Sequence, residues 1–262
     1  MASAIDLSSL VPPLLSLATT AGQRISYFYT QDLLVSTKHD RSPVTIADEQ
    51  SHAILKEGLE KILPHVPVIS EEDSSSWNLK GPFYWLIDPL DGTAGFIQKN
   101  KEFCINIALM ENNHPILGII HLPLTQETFY GYQGKAFLHV GNRTTPLHTR
   151  TAPPEGMSLL LGSYAKKDNQ EEEAFLKSYP ISTIKIVQSA IKFCYIAAGK
   201  ADIYLRICPC SEWDTAAGQA LVEAAGGRIV TLNNSPFVYG KPQLINSSFV
   251  VFGTKNDTSL HP

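Results

Sequence analysis

The sequence predicts an α/β fold. Helical patterns come first, at about 6–30 and 45–63, and the second has apolar residues at the spacing of an amphipathic helix. Short apolar and β-branched runs follow, separated by turn residues, which is typical of strands. The strands predicted in the first half are 66–70, 83–88, 103–110, 115–121 and 127–132. Those predicted in the second half, with helices between them, are 159–161, 184–187, 203–205, 228–230 and 249–252.

A polar, proline-containing stretch at 141–154 separates these two sets of strands and is predicted to be a seam. It divides the chain into an N-terminal α/β half, 1–147, and a C-terminal α/β half, 148–262.

The composition argues against a nucleic-acid-binding protein and against a membrane-spanning protein. The 262 residues have a formal net charge of −4, which argues against a general nucleic-acid-binding surface. No apolar run reaches the eighteen or so residues of a membrane span, so no transmembrane segment is predicted. The four cysteines include no C-x-x-C pair, and reduced thiols in the cytoplasm are expected. The sequence does not specify an oligomeric state.

The most informative motif is the acidic turn Asp88-Pro-Leu-Asp91-Gly-Thr93, which follows the predicted strand 83–88. Binding groups of α/β proteins cluster at strand ends, and carboxylates there suit Mg²⁺ together with a substrate phosphate. Gly92 and Thr93 could open a helix whose free N–H groups face a phosphate. An ordinary Asp-rich turn is the competing explanation.

Two more acidic clusters favour the metal-dependent phosphate site. Glu71 follows the strand 66–70, and Asp214 precedes an Ala-rich helix that ends at Gly226. Asp214 alone would be interpreted as a helix N-cap. Because three separate strand or helix ends carry acids, we predict that these acids form one metal site rather than three unrelated caps and turns.

These motifs closely resemble those of the lithium-sensitive phosphatase superfamily, which includes inositol monophosphatases, fructose-1,6-bisphosphatases and 3'(2'),5'-bisphosphate nucleotidases. The similarity runs from about Lys38 to Gly253 and is strongest to the CysQ-type nucleotidases. That branch is indicated by the segments 42–48, 70–73, 103–109 and 189–194. The resemblance implies an αβαβα sandwich of layered sheets and helices.

The resemblance also implies a set of metal ligands and catalytic residues. Two or three Mg²⁺ ions are expected, one bound by Glu71, Asp88 and the Leu90 carbonyl, another by Asp88, Asp91 and Asp214. Thr93 would orient the attacking water, with its hydroxyl held by Asp48. From its position in the helix alone, Asp48 would only compensate the helix dipole.

The expected substrate is a small nucleotide bisphosphate. Lys192 and Arg206 are cations where inositol monophosphatases typically have a neutral residue and an acid, so they would bind a second phosphate. Ser189 could add a hydroxyl donor, and Gly92, Thr93 and Asp214 complete the predicted substrate contacts. Ordinary solvated charges are the alternative for the two cations.

Two departures from the pattern bear on specificity. Ala94 and Gly95 stand where CysQ-type enzymes usually have a lysine after Thr93, and the segment 159–168 lacks a usual Ser-His pair. Tyr164 or Lys166 could substitute for that pair. Lys38 and Arg41 lie in a polar stretch that could close over the site, and an ordinary solvated loop is the alternative.

The favoured function is a Mg²⁺-dependent phosphatase that removes the 3'-phosphate of adenosine 3',5'-bisphosphate and leaves AMP. A sugar phosphatase similar to inositol monophosphatase and a non-catalytic nucleotide-sensing module are the alternatives. A cytoplasmic location is expected, and attachment to the inner membrane face is left open.

Overall fold

The computed structural model describes residues 5–31, 35–37, 43–162 and 170–254. Its helices are α1 (Leu7–Tyr29), α2 (Ile46–Ile62), α3 (Thr93–Ile97), α4 (Gln170–Ser178), α5 (Ile191–Ala197) and α6 (Ala216–Ala225). Three 3₁₀ turns span Ser74–Asn78, Glu212–Asp214 and Pro242–Leu244. Among these residues, no helix is both long and apolar enough to cross a membrane.

The larger sheet has seven strands in the order β3-β4-β5-β6-β7-β8-β9. They are β3 (Val68–Ser70), β4 (Phe83–Asp91), β5 (Cys104–Glu111), β6 (His114–Leu122), β7 (Glu127–Tyr132), β8 (Lys135–Val140) and β9 (Arg143–Leu147). Only the β3–β4 pair in this sheet is parallel, and each later strand pairs antiparallel with its neighbour in the chain.

The second sheet has five strands in the order β11-β10-β12-β16-β14. They are β10 (Met157–Leu161), β11 (Ile181–Ile186), β12 (Ile203–Arg206), β14 (Arg228–Thr231) and β16 (Phe249–Phe252). Two short pairs complete the structure: β1 (Val35–Thr37) with β2 (Pro43–Thr45), and β13 (Cys210–Ser211) with β15 (Ile245–Asn246).

The elements stack in five layers. Helices α1 and α2 cover one face of the seven-stranded sheet, and α5 and α6 lie between the two sheets. Helix α4 lies beyond the five-stranded sheet, where Phe175 and Leu176 pack on its apolar outer face. The αβαβα sandwich expected from the resemblance is therefore confirmed.

Local sequence signals place the first two helices. Asp6 caps α1 by accepting a hydrogen bond from Ser8 N, and Thr45 and Asp48 form a capping box at the start of α2. The apolar face of α2, with Leu55 and Leu59 fully buried, then packs against Trp85 and Ile87 of β4. The start of α2 thus lies close to the end of β4.

The stretch 141–154, predicted to be a seam between the halves, is not irregular throughout. Its first part is strand β9, which forms a hairpin with β8, and neither strand was predicted. The polar pattern arises because β9 lies at the sheet edge, where four of its five residues are exposed. The seven-stranded sheet ends at Leu147 and the five-stranded sheet begins at Met157.

Gly118 of β6 allows α6 to approach the larger sheet closely. A Cβ at this position would lie 2.2 Å from the backbone oxygen of Ala217. We expect Gly118→Ala to lower the free energy of unfolding by about 1–3 kcal/mol, because α6 must move away from the sheet. Urea unfolding measures the change. Gly253→Ala is the control, since its Cβ would meet nothing nearer than 3.4 Å; equal effects of the two changes would contradict the prediction.

Candidate active site

A β-bulge in β4 brings Asp88 and Asp91 to the same face of the sheet. Asp88 pairs with Asn106 and Asp91 with Cys104, so three steps along β4 match two steps along β5. In a regular strand, residues three apart point to opposite faces, and the extra residue of the bulge cancels this alternation. The stretch predicted as a turn after the strand is therefore part of β4 itself, which runs to Asp91.

Glu71 lies next to this bulge because β3 and β4 run parallel. Its backbone N–H donates to the carbonyl of Ile87, 3.2 Å away, which continues the β3–β4 ladder by one residue.

The neighbouring Asp73 forms an ion pair with Lys56 of α2. Its carboxylate accepts a hydrogen bond from Lys56 Nζ at 2.8 Å, and this bond lowers the pKa of Asp73 to about 2.

Asp214 does not cap α6, contrary to the simplest interpretation of its sequence position. The helix begins two residues later, with Thr215 as N-cap. Asp214 ends the 3₁₀ turn Glu212–Asp214, and its Oδ2 accepts a hydrogen bond from Ser211 N at 3.1 Å. The predicted C-terminal signal is confirmed, since Gly226 ends α6 with φ of 105°.

The predicted residues converge on one cleft of about 190 Å³ between the two sheets. Eight of them line it: Glu71, Asp91, Gly92, Thr93, Ser189, Lys192, Arg206 and Asp214. Asp88, Leu90 and Asp48 do not line it and are almost completely buried. The cleft thus brings acids from the first half of the chain together with two cations and an acid from the second.

The acids that line this cleft and the buried Asp88 behind it repel one another. Burial, followed by the charges of Glu71, Asp91 and Asp214, raises the pKa of Asp88 well above its ordinary value. Burial and then the charge of Asp91 raise the pKa of Asp214 to about 8. Burial also raises the pKa of Asp91, although Lys192 and the Ala190 N–H oppose it. A bound cation would relieve this repulsion.

The donor set fits a hard divalent cation. Carboxylate oxygens and a backbone carbonyl are the ligands that Mg²⁺ prefers, and neutralising ions would offset the repulsion just described. The side chains are not already gathered around a single point, since no three His, Cys, Asp or Glu side chains of the described residues stand as ready ligands of one ion. Backbone donors hold them instead: Leu90 N binds Asp88 Oδ1 at 3.0 Å, and Ala190 N binds Asp91 Oδ2 at 2.5 Å.

Thr93 and Asp48 are in direct contact. The Thr93 hydroxyl lies 2.9 Å from Asp48 Oδ1 and 3.0 Å from the Leu90 carbonyl. The other carboxylate oxygen of Asp48 accepts from both the backbone N–H and the hydroxyl of Thr45, at 2.8 and 2.6 Å. Asp48 therefore both closes the capping box of α2 and orients the Thr93 hydroxyl.

Lys192 is placed differently from a solvated phosphate ligand. It is 2% exposed, and its Nζ donates to the carbonyls of Val187 at 3.0 Å and Ser189 at 2.5 Å. Burial lowers its pKa to about 8, although the charge of Asp91 opposes this. Lys192 thus fixes the backbone that leads to Ser189 and adds positive charge beside Asp91.

Arg206 ends β12 and is held at the cleft by the chain that follows it. Its Nε and one terminal nitrogen donate to the carbonyls of Cys208 and Pro209, at 3.2 and 3.3 Å. Ser189, at φ of 53°, also lines the cleft, and Gly92 has the left-handed backbone, φ 96°, from which α3 begins. The helix expected after Gly92 is confirmed.

Sequence reasoning missed Gln188, which lines the cleft, and Asn106, which is buried behind it. Asn106 Nδ2 donates to Asp91 at 3.2 Å, and Gln188 lines the cleft beside Ala94 and Gly95. Asn106 could have been found from its place opposite Asp88 in an antiparallel pair. Lys38, Arg41, Tyr164 and Lys166 lie outside the described residues.

Comparison with known proteins gives a consistent result. The sequence profile of the inositol monophosphatase family matches residues 6–261. The 3'(2'),5'-bisphosphate nucleotidase CysQ of Salmonella typhimurium is 38% identical over 217 residues, which cover 81% of this chain and 87% of that protein. The CysQ nucleotidase of Escherichia coli K12 is 36% identical over 240 residues, 90% of this chain and 96% of that protein.

Among solved structures, CysQ from Bacteroides thetaiotaomicron, a bacterial member of the inositol monophosphatase family, superposes with a TM-score of 0.81. It is 28% identical, and the match covers 97% of this chain and all of that one. The fold, the acidic bulge and the sequence relationships agree: this chain belongs to the inositol monophosphatase family.

Proposed function

We propose that this protein is a divalent-metal-dependent 3'(2'),5'-bisphosphate nucleotidase, which hydrolyses the 3'-phosphate of adenosine 3',5'-bisphosphate to AMP and phosphate. The observation that carries the proposal is the division of charge in the cleft. Acids gather around the bulge of β4, while Lys192 and Arg206 lie on the wall formed by the second half of the chain. A substrate with two separated phosphates matches this arrangement. The similarity to curated CysQ nucleotidases supports the same substrate class.

Glu71, Asp88, Asp91, Asp214 and the Leu90 carbonyl would hold the metal, as two or three Mg²⁺ ions. When bound, Mg²⁺ would neutralise phosphate charge and would lower the pKa of water at the site, which makes water a better nucleophile.

The remaining chemistry belongs to side chains of the cleft. The Thr93 hydroxyl, held by Asp48, orients the attacking water and accepts its hydrogen bond while donating to Asp48. Arg206 binds the second phosphate at the far side of the cleft, because a guanidinium can donate two parallel hydrogen bonds to phosphate oxygens. Lys192 holds the Ser189 backbone and adds positive potential. We place this reaction in the cytoplasm.

The test is phosphate release by purified protein with Mg²⁺ from adenosine 3',5'-bisphosphate, inositol 1-phosphate and fructose 1,6-bisphosphate. We expect kcat/KM to be highest for the nucleotide. Faster turnover of either sugar phosphate would contradict the nucleotide assignment and leave the metal-dependent mechanism in place.

Mg²⁺ is expected to stabilise the protein, and more strongly at pH 8 than at pH 5. The pKa of Asp214 is about 8 in the folded protein and 3.8 for the ordinary group. Between pH 3.8 and about pH 8, the folded metal-free protein therefore binds more protons than the unfolded chain does. Its stability therefore falls as pH rises through this window, and the cation reverses the loss. At about a hundredfold excess over its Kd, Mg²⁺ should raise Tm by about 5–10 °C.

Differential scanning fluorimetry of the chelator-treated protein, with and without Mg²⁺, measures this shift. A Tm increase that is equal at the two pH values would contradict the electrostatic explanation.

A further inference from the structure

The backbone on either side of Gln188 is firmly held. Val187 N donates to the carbonyl of Leu161 at 3.0 Å, and Gln188 N donates to Glu102 Oε2 at 2.9 Å. These bonds fix the start of the segment Val187–Ala190, which connects β11 to α5 and is called here the 187–190 loop.

The other end of the 187–190 loop is tied to the acidic bulge. Ala190 N donates to Asp91 Oδ2, and Lys192 Nζ donates back to the carbonyls of Val187 and Ser189. The position of Gln188 relative to the bulge is therefore fixed by the loop backbone, before any substrate binds.

The side chain of Gln188 is half-buried and lines the cleft. Within the part of the chain that the structure describes, its amide group has no hydrogen-bond partner, while its backbone N–H is fully used. A primary amide offers two donors and an acceptor oxygen with two lone pairs. These donor and acceptor groups of the Gln188 amide are therefore available to a ligand in the cleft.

Gly95 provides the space in which that amide lies. A Cβ added at Gly95 would meet Gln188 Oε1 at 2.8 Å and Asn100 Cβ at 3.5 Å. Gly95 belongs to α3, two residues after Thr93, where alanine would otherwise favour the helix. The small residue on one wall and the amide on the other form a matched pair.

We propose that Gln188 is a specificity-determining residue, whose amide hydrogen-bonds an uncharged polar group of the nucleoside part of the substrate, a ribose hydroxyl or the edge of the base. This inference rests on the proposed nucleotidase function.

A neutral partner follows from the charges around the amide. Arg206 and Lys192 already provide the positive charge of the cleft, and the acids of the bulge are the groups that would hold the metal. An amide is neutral and both donates and accepts, so it suits hydroxyls, ring nitrogens and exocyclic amines rather than a phosphate. Because the backbone of Gln188 is already fixed, only side-chain conformational entropy is lost when the bond forms.

The first experiment compares kcat/KM of wild type and Gln188→Ala for adenosine 3',5'-bisphosphate and for 4-nitrophenyl phosphate, which has no nucleoside. We expect kcat/KM for the nucleotide, divided by kcat/KM for 4-nitrophenyl phosphate, to fall about tenfold in Gln188→Ala. A tenfold change corresponds to the free energy of one lost hydrogen bond. An unchanged ratio, or an equal loss on both substrates, would overturn the inference. Circular dichroism and Tm show whether the variant is folded.

A double-mutant cycle tests the matched pair. Gly95→Ala should displace the amide and lower the ratio in the wild-type background, but lower it no further when Gln188 is already alanine. Equal effects of Gly95→Ala in both backgrounds would show that it acts through α3 rather than through Gln188, and the inference would fail.

Substrate analogues identify the group that is bound. If the tenfold effect of Gln188→Ala disappears with 2'-deoxyadenosine 3',5'-bisphosphate, the partner is the ribose hydroxyl. If it disappears with 1-deoxyribose 3,5-bisphosphate, which keeps the 2-hydroxyl but lacks the base, the partner is the base edge. Persistence of the effect with both analogues would contradict contact with either group.

Failure of the proposed function is seen separately, in the wild-type protein. A wild-type preference for inositol 1-phosphate over the nucleotide would refute the nucleotidase assignment. In that case, the ratio of inositol 1-phosphate turnover to 4-nitrophenyl phosphate turnover would still fall in Gln188→Ala if the amide binds a substrate hydroxyl. An unchanged ratio would overturn the inference about Gln188.

Discussion

Replacing Asp88 by asparagine is expected to lower kcat/KM by at least about a thousandfold while making the metal-free protein more stable. Asp88 is 2% exposed, and its pKa is raised by burial and by the charges of Glu71, Asp91 and Asp214. Asparagine keeps the shape and can still accept the hydrogen bond from Leu90 N, but it removes a buried acid that a metal would need. Loss of this repulsion should add about 0.5–2 kcal/mol to the free energy of unfolding without metal.

Asp73→Asn is the matched control, since it changes the same side chain in the same way. The Asp73 carboxylate is stabilised by Lys56, which lowers its pKa, so the change should lower stability above pH 4 and leave turnover within about twofold. Activity assays and urea unfolding with a chelator measure both effects. An Asp88→Asn protein that keeps a tenth of wild-type activity, or that is less stable without metal, would contradict the prediction.

Replacing Glu212 by alanine is expected to lower the free energy of unfolding by about 3–5 kcal/mol, the cost of removing one partner from a buried ionic network. Glu212 is fully buried and accepts hydrogen bonds from the backbone of Gly240 at 2.9 Å and of Lys241 at 3.0 Å. The Lys241 ammonium lies 2.9 Å from the same carboxylate. Its loss leaves two backbone donors without their acceptor and removes the ion-pair partner of Lys241.

The effect should extend to the site, because Glu212 and Asp214 belong to the same 3₁₀ turn. The turn is held further by Tyr239, whose hydroxyl donates to Thr215, and by Asn246, which donates to the Ser211 carbonyl and to Thr215. We therefore expect weaker Mg²⁺ binding in Glu212→Ala, measured by isothermal titration calorimetry at a temperature where the variant is folded.

Glu223→Ala is the control for this change. Its carboxylate is partly exposed, accepts a hydrogen bond from Gln219 Nε2 at 2.9 Å and lies 3.7 Å from His114, so its removal should cost about 1–2 kcal/mol, less than the loss of Glu212. A Glu212→Ala protein whose stability falls by no more than that of Glu223→Ala would show that the loop 238–246 is held by its other contacts.

Much of this fold was predictable because its signals are local. The apolar period of α2, the β-branched run of β4 and the left-handed Gly226 after α6 are determined by neighbouring residues. Strand β9 was missed because four of its five residues are exposed at the sheet edge, and so its sequence lacks the apolar alternation that indicates a strand. Strand β8 was missed because its apolar run, 136–138, packs against the core but is only three residues long.

The sequence by itself determined which chemistry is available: acids after β3, within β4 and before α6, a threonine beside them, and two cations farther along the chain. Only the tertiary structure decided how these groups are used. The bulge that turns Asp91 to the face of Asp88 depends on pairing with β5, and the burial of Lys192 against its own loop carbonyls depends on how α5 packs. Likewise, Gln188 and Gly95 meet across the cleft although 93 positions separate them in the chain. Local sequence fixes residue types and elements, whereas register and close packing between distant segments fix distances, and the distances determine what the residues can do.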